Sequence, residues 1–82
     1  MKATKKGHKD AQKDLGVAYF TGKGIIPDTA LAYAWFHVAA SQGVENAYKN
    51  KSLIYEKMLD EDKKRAVLLA TEFVTKYGSQ KQ

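Results

Sequence analysis

The sequence predicts an all-α fold of stacked helices, and three observations carry that expectation. Residues 11–43 read AQKDLGVAYFTGKGIIPDTALAYAWFHVAASQG, one helix-loop-helix unit with alanines and glycines at fixed offsets. A unit of this kind cannot bury its own apolar face, so it is written to stack on neighbours. Apolar residues recur at three-to-four spacing along most of the chain, and no period-two alternation marks a strand. About four helices, antiparallel in succession, are expected in one domain spanning residues 1–82.

The first helix is expected over residues 11–21, capped by Asp10, with Ala11, Leu15, Ala18 and Tyr19 recurring on it. Gly22 and Gly24 end it, since both can take positive φ, and Pro27 then fixes the approach to the second helix. Asp28 is the expected N-cap of that helix, over residues 29–42. Trp35, Phe36, Ala39, Ala40 and Ala32 make one apolar stripe on it, and Leu31, Ala34 and Val38 make another. A helix apolar nearly all round is buried between neighbours.

Gly43 stands where a left-handed C-terminal cap belongs. A third helix is expected over residues 45–58, opened by Glu45 or Asn46 and carrying Ala47, Ile54, Tyr55 and Met58. The acidic run from Asp60 suits the positive end of a helix dipole, and Ala66, Leu69, Ala70, Phe73 and Tyr77 follow on one face of a fourth helix over 61–77. The first six residues are short and basic, and the polar tail 79–82 is expected to fray.

Composition bounds the function classes. A chain of 82 residues makes one small domain, and at this size only roughly 60 to 65% of the unfolded surface is removed on folding. Every large apolar side chain therefore counts. No apolar run reaches the roughly 18 residues of a membrane span, and the lysine-rich start lacks the apolar stretch of a secretory signal, so a soluble protein of undetermined compartment is expected. With no cysteine there is no disulfide, thiolate metal site or cysteine nucleophile. The net charge of +5 is uneven: residues 1–23 carry +4, residues 24–48 carry −2 and residues 49–82 carry +3. That balance favours acidic partners, although lysines that merely solvate helix faces would give it too.

Ala11, Leu15-Gly16 and Tyr19, then Gly22-x-Gly24, then Asp28, Ala32, Trp35-Phe36, Ala39-Ala40 and Gly43 together resemble the Sel-one-like repeat family, a relative of the tetratricopeptide repeats. The resemblance implies an α-α superhelix. It divides the chain into a remnant of a preceding repeat at 1–10, one full repeat at 11–46 and C-terminal capping helices at 47–78. In the second unit Lys51 and Ser52 stand where the first has Leu15 and Gly16, and the glycine loop is missing, as suits a cap whose outer face meets water. Small residues at Gly16, Ala32, Ala39 and Ala40 would let helices approach within 8 to 10 Å, with Tyr19, Trp35 and Phe36 supplying most of the buried area. Leu31 and Val38 stand where the family often carries lysines. They either pack against the third and fourth helices or form an exposed contact patch.

The resemblance also implies a protein-interaction scaffold, not an enzyme, with an inner surface lined by the first and third helices. The residues of those helices that the core does not use are Lys13, Val17 and Phe20, then Lys49, Leu53 and Glu56. Val17 and Phe20 beside a lysine would anchor a partner peptide, or else contact a neighbouring helix. An acidic or amphipathic helical partner suits that strip. An end of the stack left uncovered would be sealed by another copy, by further repeats of a longer parent or by a different protein.

Nucleic-acid binding through Lys2, Lys5, Lys6, Lys9 and Lys13 with Lys63, Lys64 and Arg65 is the competing expectation, supported by charge alone. His8 and His37 lack a metal-ligand spacing, and consecutive acids at 60–62 point in different directions on a helix. Gly22-x-Gly24 lacks the strand and the Lys-Ser/Thr of a phosphate loop. No cofactor, metal or catalytic constellation is expected.

Overall fold

A computed structural model describes residues 8–78, which form four α-helices with no strand among them. These are α1 (His8–Thr21), α2 (Thr29–Ser41), α3 (Glu45–Lys57) and α4 (Asp60–Phe73), the last widening into a single π-turn at Val74–Gly78. The first helix already includes His8, so Asp10 is not its cap: it lies in the first turn, where its carboxylate complements the helix dipole. The basic start, residues 1–7 of the expected repeat remnant and the tail 79–82 lie outside the described residues, while residues 8–10 open α1.

Helix α2 is the axis of the fold, and α1, α3 and α4 each pack against it. Pairings along it set the directions. Gln12 meets Gln42 while the Asp28 amide donates to the Tyr19 carbonyl at 3.0 Å, so α1 runs antiparallel to α2. Tyr33 meets Tyr55 and His37 meets Lys51, so α3 is antiparallel too. Asp28 meets Arg65 and Trp35 meets Phe73, which makes α4 parallel to α2. This alternation is the helical-repeat arrangement expected from the sequence.

The surround explains why α2 is alanine-rich. Ala30, Ala32, Ala34, Phe36, Val38 and Ala39 are all buried, on several sides of one helix, and only small side chains let three neighbours come close. Val38 is completely buried and Leu31 half-buried, which overturns the exposed-patch alternative for that pair. The core gathers Phe36 with Ala47, Ile54 and Met58 of the α3 side and Ala66 of α4.

Other core expectations need correction. Ala11 is exposed and Leu15 is 38% exposed, because the stripe of α1 that meets α2 runs through the buried Gln12 and Gly16 instead. Tyr19 is half-buried at the edge of the core. Trp35 is half-buried as well and belongs to a separate aromatic cluster, its ring 4.6 Å from that of Phe73 and 5.2 Å from that of Tyr77. Nor is the outer face of α4 wholly polar: Leu59, Val67 and Leu68 are exposed on that side of the molecule.

The helix ends follow local chemistry. The Asp28 carboxylate accepts from the Leu31 amide at 3.1 Å and caps α2. At the other end Gly43, with φ of 94°, donates to the Ala40 carbonyl while Val44 donates to that of Ala39, the paired bonds of a Schellman motif. Gly22 and Gly24 both take positive φ in the α1–α2 loop. The caps of α3 and α4 are Val44 and Leu59, neither of which offers a side-chain bond.

Asp28 does more than the sequence indicated, since the Arg65 guanidinium donates to both its oxygens at 3.1 and 3.0 Å. One carboxylate thus caps α2 and fastens α4 to it. The hydrogen bond from Arg65 holds the Asp28 pKa below its usual value, against the opposing effect of burial. A depressed folded-state pKa means that the stabilisation is fully present above the unfolded aspartate value and is lost as pH falls through the lower folded value. Asp28→Ala should cost about 1 to 2 kcal/mol at neutral pH, mostly as a lost cap, since an ion pair with the half-exposed Arg65 adds little. Urea unfolding should show the wild-type advantage over this variant intact at pH 6 and shrinking in strong acid.

Candidate functional site

Val17 and Phe20 of α1 and Leu53 of α3 come together at the walls of one groove of about 310 Å³. Its floor is the buried Phe36 of α2, and Asn50, Ile54 and Lys57 complete the lining. The local sequence explains the arrangement. On α1, Gly16 turns its bare backbone toward the Phe36 ring, which leaves the flank of Val17 and Phe20 facing along α2. On α3, Asn50, Leu53, Ile54 and Lys57 recur at three-to-four spacing and present one flank to α1 across the gap.

The exposure of these residues marks the groove as unfilled by the chain itself. Val17 is 40%, Phe20 49% and Leu53 57% exposed, in a domain that has few large apolar side chains to spare. An exposed apolar cleft is the usual form of a contact site. Lys13 is half-buried on the same flank of α1 as Phe20, and Lys57 lines the opposite wall. Lys49 and Glu56 are exposed on α3 and do not line the groove. Sequence reasoning thus placed three of the six residues in it and passed over Asn50 and Lys57, which the helical spacing from Leu53 would have found.

The opposite flank of α3 holds a second cluster that periodicity did not suggest. The Lys51 ammonium lies 3.0 Å from His37 Nδ1 and stands over the rings of Tyr33 and Tyr48 at 5.8 and 5.5 Å. Tyr33 stacks on His37 and tilts against Tyr55, which in turn lies under Lys63 at 5.1 Å. Burial lowers the His37 pKa, and the Lys51 charge lowers it further. Burial also lowers that of Lys51 and raises that of Tyr33. A lysine ammonium has only N–H bonds to give, so in this contact it is His37 Nδ1 that accepts from Lys51.

Of the basic residues assigned to phosphate contact, Arg65 is committed to Asp28 and Lys63 lies over Tyr55. Lys2, Lys5 and Lys6 lie outside the described residues. Among the described residues no group of three or more histidines and carboxylates comes together to hold a metal ion, and no helix is long and apolar enough to cross a membrane.

Three helices packed around a central fourth, with alternating direction and an apolar groove between the first and third, define a helical-repeat module. The family model for the Sel1 repeat matches residues 9–44, which takes in α1, the glycine loop, α2 and the Schellman turn. Residues 9–44 thus form a Sel1 repeat, a helical unit related to the tetratricopeptide repeat whose general role is protein–protein interaction. The comparison with curated proteins gave no match.

Proposed function

We propose that this chain is a non-enzymatic docking module that binds another protein through the α1–α3 groove. The observation that carries this reading is the juxtaposition of Val17, Phe20 and Leu53, all 40% or more exposed, around the buried Phe36. The fitting occupant is an amphipathic helical segment of a partner protein, one or two of whose apolar side chains fill the groove. Lys13 and Lys57 on its two sides favour acidic residues flanking those anchors. In this reading residues 11–46 are the working repeat and 47–78 are capping helices that also supply the second wall.

A second copy of the chain is the other protein occupant, and light scattering tests it first. A mass near twice 9.2 kDa would make the module self-associating. Nucleic acid is disfavoured, because Arg65 is paired with Asp28 and an apolar groove offers phosphates nothing.

Selection from a displayed library of helical peptides tests the groove. Selected peptides should carry apolar residues at three-to-four spacing with acidic neighbours, and their affinity should survive high salt. Phe20→Glu and Leu53→Glu should each weaken binding at least tenfold in fluorescence anisotropy, with helicity unchanged because both positions are exposed. Peptides that bind both variants as well as the wild type would overturn the assignment.

A further inference from the structure

The groove leaves unexplained why a lysine is half-buried among aromatic rings on the far flank of α3. Lys51 has His37 Nδ1 as its hydrogen-bond partner, and among the described residues the ion pairs consist of Arg65 with Asp28 alone. A cation withdrawn from water without a carboxylate is costly, and burial acts against its charge. The Tyr33 and Tyr48 rings offset part of this cost through their faces.

The polar groups that Lys51 and His37 still offer here are donors. Lys51 keeps N–H groups beyond the one given to His37, and a His37 whose Nδ1 accepts carries its proton on Nε2. Along the same side of the molecule follow Tyr55, Lys63, Lys64, Val67 and Leu68, which border a shallow depression between α3 and α4. Tyr48 is 62% and Leu68 71% exposed. Cations, aromatic faces and exposed apolar side chains thus follow one another along this side, linked through the Tyr33–Tyr55 contact, and no acidic residue lines the depression. Such a band is complementary to a segment that brings carboxylates and apolar side chains together.

We propose that Lys51, with His37 and the Tyr33 and Tyr48 rings around it, is a binding site for a side-chain or terminal carboxylate of an acidic polypeptide, which continues across Lys63, Lys64 and Leu68. The site goes beyond the α1–α3 groove and stands or falls separately from it. The carboxylate takes the free N–H bonds of Lys51 in a partly desolvated place, where a charge-assisted hydrogen bond is stronger than on open surface. The tyrosine rings exclude water from it and supply contact area for the neighbouring apolar residue.

The test is a nuclear magnetic resonance titration of the full chain with a synthetic peptide of alternating glutamate and leucine. A peptide with lysine in place of glutamate and a short oligothymidylate serve as the other arms. The acidic peptide should shift the signals of Tyr33, His37, Tyr48, Lys51 and Tyr55 saturably and raise the titration midpoint of the Lys51 amine. Lys51→Met should weaken binding at least tenfold while Lys51→Arg retains part of it, and Phe20→Glu should leave it unchanged. Shifts spread evenly over all lysines, equal binding by Lys51→Met, or tighter binding of the oligothymidylate would overturn the proposal. Loss of binding in Phe20→Glu would place the peptide in the α1–α3 groove instead.

Discussion

Replacing Phe36 with alanine is expected to remove a large share of the stability of this domain. The ring is 2% exposed, lies against Gly16 of α1 and joins the cluster that includes Ala47, Ile54 and Met58 from the α3 side. It therefore touches the packing of two helices on the central one. Truncating such a ring costs about 3 to 5 kcal/mol, the lost transfer energy together with the cavity left behind. A domain of 82 residues has about 4 to 12 kcal/mol of stability in all. The loss should lower the midpoint of thermal unfolding by about 12 °C or more, read from the helical circular-dichroism signal. Phe36→Leu, which keeps most of the volume, should fall well short of that. If Phe36→Ala cost less than about 1 kcal/mol, the core would not be organised around this ring. Because the same ring is the floor of the groove, Phe36→Leu also probes binding in a chain that still folds.

The residues that could be read directly from the sequence are those whose role is local. Asp28 and Gly43 act within one turn of their own helix, through a cap and a positive φ, so a pattern of a few residues specifies them. The buried character of α2 was likewise visible, because a helix apolar on every side has nowhere else to go. The residues that misled are those whose role depends on a neighbour distant in sequence. Leu15 looks like core by periodicity, yet the contact stripe of α1 is turned toward Gly16 by the needs of the Phe36 ring. Gln12, polar in sequence, is 3% exposed because Gln42, thirty positions away, donates to its side-chain oxygen at 2.7 Å. The pair closes the far end of the α1–α2 contact and leaves no buried polar atom unsatisfied there.

The candidate surface divides the same way. Val17, Phe20 and Leu53 stand out in sequence because an apolar residue beside lysines on a solvent-facing flank is unusual. That they share one cleft depends on how α3 folds back along α2, which is set by pairings such as Tyr33 with Tyr55. The Lys51 cluster had no signature at all. It joins residues 33, 37, 48, 51 and 55 through the antiparallel register of two helices, and in sequence Lys51 reads as a surface lysine that has replaced a core leucine. The missing leucine and the half-buried ammonium are two aspects of the same position.

Gly16 supplies the sharpest test of the packing, because two general rules predict opposite signs for its replacement. A glycine inside a helix is ordinarily improved by alanine, by roughly 0.5 to 1 kcal/mol. Here a Cβ would stand 2.9 Å from two carbons of the Phe36 ring and 3.0 Å from a third. The ring is a side chain, but it is buried and cannot swing aside without displacing the core around Ile54 and Met58. Overpacking of this kind costs about 1 to 3 kcal/mol, so the clash outweighs the helix propensity and Gly16→Ala should destabilise. Gly16→Val should do so further, to an extent rivalling the loss of the ring itself. A double-mutant cycle separates this cause from a general intolerance of change. Combined with Phe36→Leu, which removes the flat ring, Gly16→Ala should cost at least 1 kcal/mol less than it does alone, a coupling within the range for residues in contact. Gly43 is the control: nothing lies within 4 Å of its Cβ position, but its φ is 94°. Gly43→Ala should therefore lose about 1 kcal/mol from backbone strain and show no coupling to Phe36. Stabilisation by Gly16→Ala, or equal coupling of both glycines to Phe36, would mean that α1 and α2 do not meet at the Gly16–Phe36 contact.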